Sequence, residues 1–182
     1  MQSDSKSSWA FGSREMVLAA IFGAMTLVLG GIGFGFIPIA NLSGASTFLH
    51  LPVILGAIIG GPIVGMICGF IFGGLALGAF PAFGPLVHIP SRILIGLLTW
   101  VVYSALRKGG TKVWLAAAIA AGVGALTNTI FTVGTAVVLV PNLFPASAIP
   151  TVFPQAITEL IVAVVLIPAI VTAVDAAMRG RQ

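Results

Sequence analysis

The run 49–79, LHLPVILGAIIGGPIVGMICGFIFGGLALGA, contains no Asp, Glu, Lys or Arg. A membrane helix needs about 20 mostly apolar residues to cross a hydrocarbon core of roughly 30 Å, so this run is too long for one helix. It is broken at Gly60-Gly61-Pro62, which predicts two helices joined by a tight turn. The first of them, 49–60, is short for a full crossing and tilts into a neighbour. The same length argument places further spans at 16–33, 90–106, 113–140 and 152–176. The expected fold class is therefore an all-α integral membrane protein, a bundle of six transmembrane helices. A single membrane domain, 15–178, lies between cytoplasmic tails 1–14 and 179–182.

Composition excludes the soluble alternatives. Hydrophobic residues make up 59% of the chain and charged residues 7%, where a soluble domain carries about a quarter charged. The net charge of +4 is too small and too scattered for a nucleic-acid footprint. The lone cysteine, Cys68, excludes an internal disulfide and disfavours a cysteine-based metal site. The first fifteen residues are polar and no signal-type cleavage site follows, so the first apolar run is read as retained.

Basic residues give the orientation. With both termini inside, Lys6, Arg14, Arg107, Lys108, Lys112, Arg179 and Arg181 all fall on the cytoplasmic side, as the positive-inside rule expects. The opposite connections, 34–48, 80–89 and 141–151, carry no Asp, Glu, Lys or Arg. Arg92 is the one basic residue outside the pattern, so it is not a topology signal.

Several chemistries are missing. No glycine loop ending in Gly-Lys-Ser/Thr is present, so the chain does not hydrolyse ATP by that route. No His-Glu-x-x-His motif, paired carboxylates or Gly-x-Ser-x-Gly elbow occurs, which leaves an enzyme reading without support. His50 and His88 lack a third ligand nearby, so no metal site and no cofactor is expected.

The polar residues inside the apolar zone converge. Arg92 is expected at the outer start of the fourth helix, Glu159 two turns into the sixth, and Asn128 about 22 Å up the fifth. His50, Ser91, Thr129, Thr132 and Gln155 fall near the same level, and Asn41 and His88 lie in the outer connections 34–48 and 80–89. An ionisable residue in the membrane costs at least about 2.5–3.5 kcal/mol on insertion scales, so it marks a functional site by default. Arg92 has three readings: snorkelling to lipid head groups, pairing with Glu159, or binding a ligand. Small residues recur at Gly61, Gly65, Gly69 and Gly73 in the third helix and at Ala20 and Ala24 in the first. Such stripes let helices approach closely; the third helix is expected inside the bundle, the first at a partner surface.

Three stretches carry a family resemblance: the Ala20-x-x-x-Ala24 motif, FLHLPVILGAIIGGPIVGMICGFIFG at 48–73, and HIPSRILIG at 88–96. Over nearly its whole length the chain resembles a substrate-binding S component of the energy-coupling-factor (ECF) vitamin importers, with the 48–73 block most similar to a pantothenate branch. The resemblance implies capture of a vitamin or precursor from outside, with the first outer connection as a lid. It also implies docking, through Ala20 and Ala24, on a transmembrane coupling subunit with two ATPases in a prokaryotic plasma membrane. Metal-binding members resemble each other in a histidine at position 2, where this chain has Gln2. Pantothenate, its carboxylate on Arg92, is the leading cargo; cobalamin and pyridoxine-type rings stay open, as do a stand-alone permease and a structural membrane protein.

Overall fold

The computed structural model describes Trp9 and residues 11–32, 35–38 and 45–180. Six α-helices account for most of them: α1 (Ser13–Gly31), α2 (His50–Gly60), α3 (Pro62–Ala79), α4 (Pro85–Lys108), α5 (Val113–Leu139) and α6 (Phe153–Arg179). Two three-residue strands, β1 (Phe36–Pro38) and β2 (Ala45–Thr47), pair antiparallel between α1 and α2. Five of the helices are long and apolar enough to cross a membrane; α2 is the shorter one.

That short helix sits at the centre. Its 11 residues rise only about 16 Å, half of a bilayer core, and it packs against all five other helices. Val53, Ile54 and Ala57 are fully buried. A helix that is apolar all round is stable only when enclosed, which is why this segment can be both short and uncharged. Gly61 ends it with φ 93°, a left-handed conformation that a side chain resists, and Pro62 opens α3 at once. Arg14 of α1 donates to the Ile59 carbonyl at 3.1 Å, satisfying one orphan acceptor at the end of α2.

The glycine stripe of α3 faces α4. A Cβ on Gly65 would come within 3.0 Å of Gly96 Cα, one on Gly69 within 2.3 Å of the Arg92 carbonyl oxygen, and one on Gly73 within 2.9 Å of Ile89 Cα. The two backbones are in contact along three turns, as expected for an internal α3. On α1, Ala19, Phe22, Gly23 and Thr26 turn inward, while Ala20 and Ala24 are exposed among Val17, Ile21 and Val28.

One boundary differs from expectation. The fourth helix begins at Pro85, not near residue 90, so Arg92 lies two turns inside it rather than at its start. The reason is local: Gly84 takes φ 77° and Pro85 supplies a first helical residue whose missing N–H is not needed. Pro90 then lies inside the helix. Beyond α5, the connection through the 3-10 turn Ala146–Val152 folds back over the bundle, and Phe144, Ala148 and Val152 form a second small core with Val87 and Ala136.

Candidate functional site

Two groups of buried polar residues meet beneath that second core. The first is built on Glu159, 1% exposed. Its Oε1 accepts the Thr47 backbone N–H at 2.7 Å and the Gln155 amide at 3.0 Å; its Oε2 accepts the Asn128 amide at 3.1 Å. One carboxylate therefore ties β2, α5 and α6 together with charge-assisted hydrogen bonds, which are about twice as strong as neutral ones.

The second group is built on Arg92. Its Nη1 donates to the Ser91 hydroxyl at 3.1 Å and to the Thr132 hydroxyl. Its guanidinium lies 4.7 Å from the centroid of the Phe72 ring, a cation–π contact. Nε has no hydrogen-bond partner. Among the described residues the ion pairs are Arg14–Glu15 and Asp175–Arg179, both partly exposed; Arg92 has no carboxylate within 4.0 Å.

The fifth helix stands between the two charges. Thr132 donates to the Asn128 carbonyl at 2.6 Å, so a chain of hydrogen bonds runs from Arg92 through Thr132 and Asn128 to Glu159. Residues four apart on a helix share a face, and that spacing is what lets α5 present both groups. Arg92 is thus neither snorkelling, being 5% exposed, nor clipped directly to Glu159.

Arg92 opens into a cavity of about 620 Å³, its open mouth included. Of the residues expected at a site, Arg92, Asn128, His88 and Gln155 line it. Glu159 and His50 stand behind the wall; His50 Nδ1 donates to the Thr47 carbonyl at 2.7 Å. Asn41 lies outside the described residues. Two contributors went unrecognised in the sequence: Thr47, whose backbone anchors the strand pair to Glu159, and Phe72, which carries Arg92. Phe72 lies three residues after Gly69 on α3, so the glycine stripe was the available signal. The cavity has an aromatic wall. The Phe83 ring meets His88 edge-on at 6.1 Å and Phe144 at 6.4 Å, and Phe80 lies 6.4 Å from His88. Among the described residues no group of three His, Cys, Asp or Glu could hold a metal.

The clamp on Glu159 is testable. Glu159→Gln preserves volume but turns one acceptor oxygen into a donor facing N–H groups. Leaving a buried donor unsatisfied costs about 1–3 kcal/mol, so the melting temperature of the purified protein should fall. An unchanged melting temperature would show that the clamp contributes nothing to stability.

The arrangement is suited to holding a small polar solute. No individual curated protein shows a significant match to this sequence. The family model for the ECF transporter, substrate-specific component, matches residues 14–171, nearly the whole chain. The chain belongs to the ECF transporter family as a substrate-specific component, a multi-pass membrane protein that recognises a small molecule and works with an ECF module.

Proposed function

We propose that this chain captures a vitamin or vitamin precursor from outside the cell and passes it inward through an ATP-driven partner module, with pantothenate the leading cargo. One observation carries the reading: a buried arginine without a carboxylate partner faces an open cavity. A buried charge with no carboxylate in contact is unfavourable; Glu159 acts on Arg92 only at a distance, beyond Thr132 and Asn128, and an anionic ligand supplies a counter-ion in direct contact. Asn128, Thr132 and Gln155 suit the hydroxyl and amide groups of a small flexible acid, while the aromatic wall also keeps a ring-bearing acid in contention.

Six membrane-embedded helices with both termini cytoplasmic put the cavity, α4's first turns and the strand pair at the outer face. The first outer connection acts as the lid; of it the structure describes the strand pair, which Glu159 holds at the Thr47 N–H, while 39–44 lie outside the described residues. The membrane domain spans 15–178, between tails 1–14 and 179–182, and the host membrane is a prokaryotic plasma membrane.

Ala20 and Ala24, exposed on α1, form the face that meets the transmembrane coupling subunit; two ATPases supply the energy. Enlarging them to leucine should leave ligand capture intact and abolish ATP-dependent uptake in vesicles containing the complete transporter. Uptake at the normal rate in the double variant would rule that face out. Capture and release by this chain alone, with no coupling subunit or ATPase, would favour the stand-alone permease.

A further inference from the structure

Four buried polar atoms of residues around the cavity lack any partner: Arg92 Nε, Asn128 Oδ1, His88 Nδ1 and Thr47 Oγ1. Their residues are 5%, 4%, 3% and 6% exposed, and all four residues line the same cavity. Buried polar groups are paired in the great majority of cases, so four orphans around one cavity bear on what is to fill it.

Three of the four have a fixed sign. The His88 Nε2 lies 3.0 Å from the Phe80 carbonyl oxygen. A carbonyl only accepts, so Nε2 carries the hydrogen and, in the neutral ring, Nδ1 is left as a bare acceptor. The Asn128 amide nitrogen is committed to Glu159, which orients the side chain and leaves its Oδ1 as an acceptor. Arg92 Nε is a donor whatever its surroundings. The unpaired groups are thus one cationic donor, two neutral acceptors and the Thr47 hydroxyl, which can act either way.

We infer that the cargo is a carboxylate that also carries O–H or N–H donors, read by His88 Nδ1 and Asn128 Oδ1, and that these acceptors exclude acids lacking such donors. This rests on the capture reading above and sharpens it. Arg92 selects the charge, and a simple acid would satisfy it. The two acceptors supply the discrimination, because an acid with no donor leaves both of them buried and unpaired. A site built to hydrogen-bond a substrate group rejects the analogue lacking it far more strongly than an apolar pocket rejects a missing methylene. His88 is also held by Phe80 and Phe83, so its ring cannot turn away without disturbing the aromatic wall.

The test is equilibrium binding by the purified full chain to six compounds. Pantothenate and biotin combine a carboxylate with O–H or N–H donors. Nicotinate and lipoate have the carboxylate without such donors, and pyridoxine and thiamine have donors without a carboxylate. At least one of the first pair should bind, and nicotinate and lipoate should bind on the order of 100-fold more weakly. His88→Phe, which keeps the ring volume but removes the acceptor, should weaken that binder at least 10-fold. His88→Asn restores an acceptor near the Nδ1 position and should recover part of the loss. Tight binding of nicotinate or lipoate would overturn the donor rule while leaving capture of an acid intact. Tight binding of pyridoxine or thiamine alone would overturn the carboxylate requirement and with it the role of Arg92. Binding of none of the six would contradict both this inference and the capture of a vitamin acid. Should both variants fail to fold, the six affinities of the unmodified chain decide the matter.

Discussion

Arg92→Ala should lower affinity for the cargo at least 100-fold while leaving the protein folded. The guanidinium is the sole cation on the cavity wall among the described residues, and hydrogen bonds to charged groups contribute about 1.5–3 kcal/mol each. Two such bonds to one carboxylate account for a loss of two decades or more. The fold is expected to survive because removing Arg92 removes a buried charge that no carboxylate within 4.0 Å offsets, and charges of that kind oppose stability. Its hydrogen-bonding partners, Ser91 and Thr132, keep their own carbonyl acceptors, Val87 and Asn128. Arg92→Lys should restore only part of the affinity, because an ammonium is a point charge without the planar fork that matches a carboxylate. Isothermal titration of the three proteins reads these differences. Equal affinity in Arg92→Ala would return the residue to a structural role.

Gly96→Val should prevent the bundle from assembling. A Cβ at that position would lie 2.3 Å from the Gly65 carbonyl carbon and 2.5 Å from its oxygen. The obstacle is backbone on α3, so no rotamer relieves it and the two helices must part. Overpacking against mobile side chains costs about 1–3 kcal/mol, occasionally more; here the cost belongs at or above the top of that range. Separation of α3 from α4 would also move Phe72 away from Arg92, so any folded fraction should bind weakly. Gly74→Ala is the matched control, because its Cβ would meet nothing within 4 Å and alanine favours the helix. Size-exclusion profiles in detergent should show aggregation for the first variant and a native peak for the second. A native, ligand-binding Gly96→Val protein would mean that the close crossing of α3 and α4 is not required.

Much of this architecture is legible in the sequence, because lipid imposes simple rules. Apolar length set the helices, the Gly60-Gly61-Pro62 break separated α2 from α3, and a glycine every fourth residue marked the face of α3 that meets α4. The convergence of Arg92, Asn128, Gln155 and Glu159 followed from depth alone, since rise per residue fixes where a side chain falls along a helix.

Depth does not determine which groups touch. Opposite charges at one level invite a direct pair, yet α5 places Thr132 and Asn128 between Arg92 and Glu159. That outcome depends on helix rotation, which periodicity in an almost uniformly apolar segment does not encode. The start of α4 was obscured because Pro90 resembles a helix opening, whereas Gly84-Pro85 supplies the actual one. Thr47 was illegible for another reason: its main-chain N–H, common to every residue but proline, is what binds Glu159. The aromatic wall joins Phe80, Phe83, His88 and Phe144 from connections far apart in sequence, and only the fold-back before α6 brings the last of them in.

The central claim is that a buried, unpaired Arg92 captures a small acid, and one measurement addresses it directly. The gently purified protein and its Arg92→Ala variant should be denatured side by side and their extracts compared by mass spectrometry. The account predicts one vitamin-sized carboxylic acid, stoichiometric with the unmodified chain and lost from the variant. The same compound retained in the variant, or a retained compound without an acidic group, would contradict it.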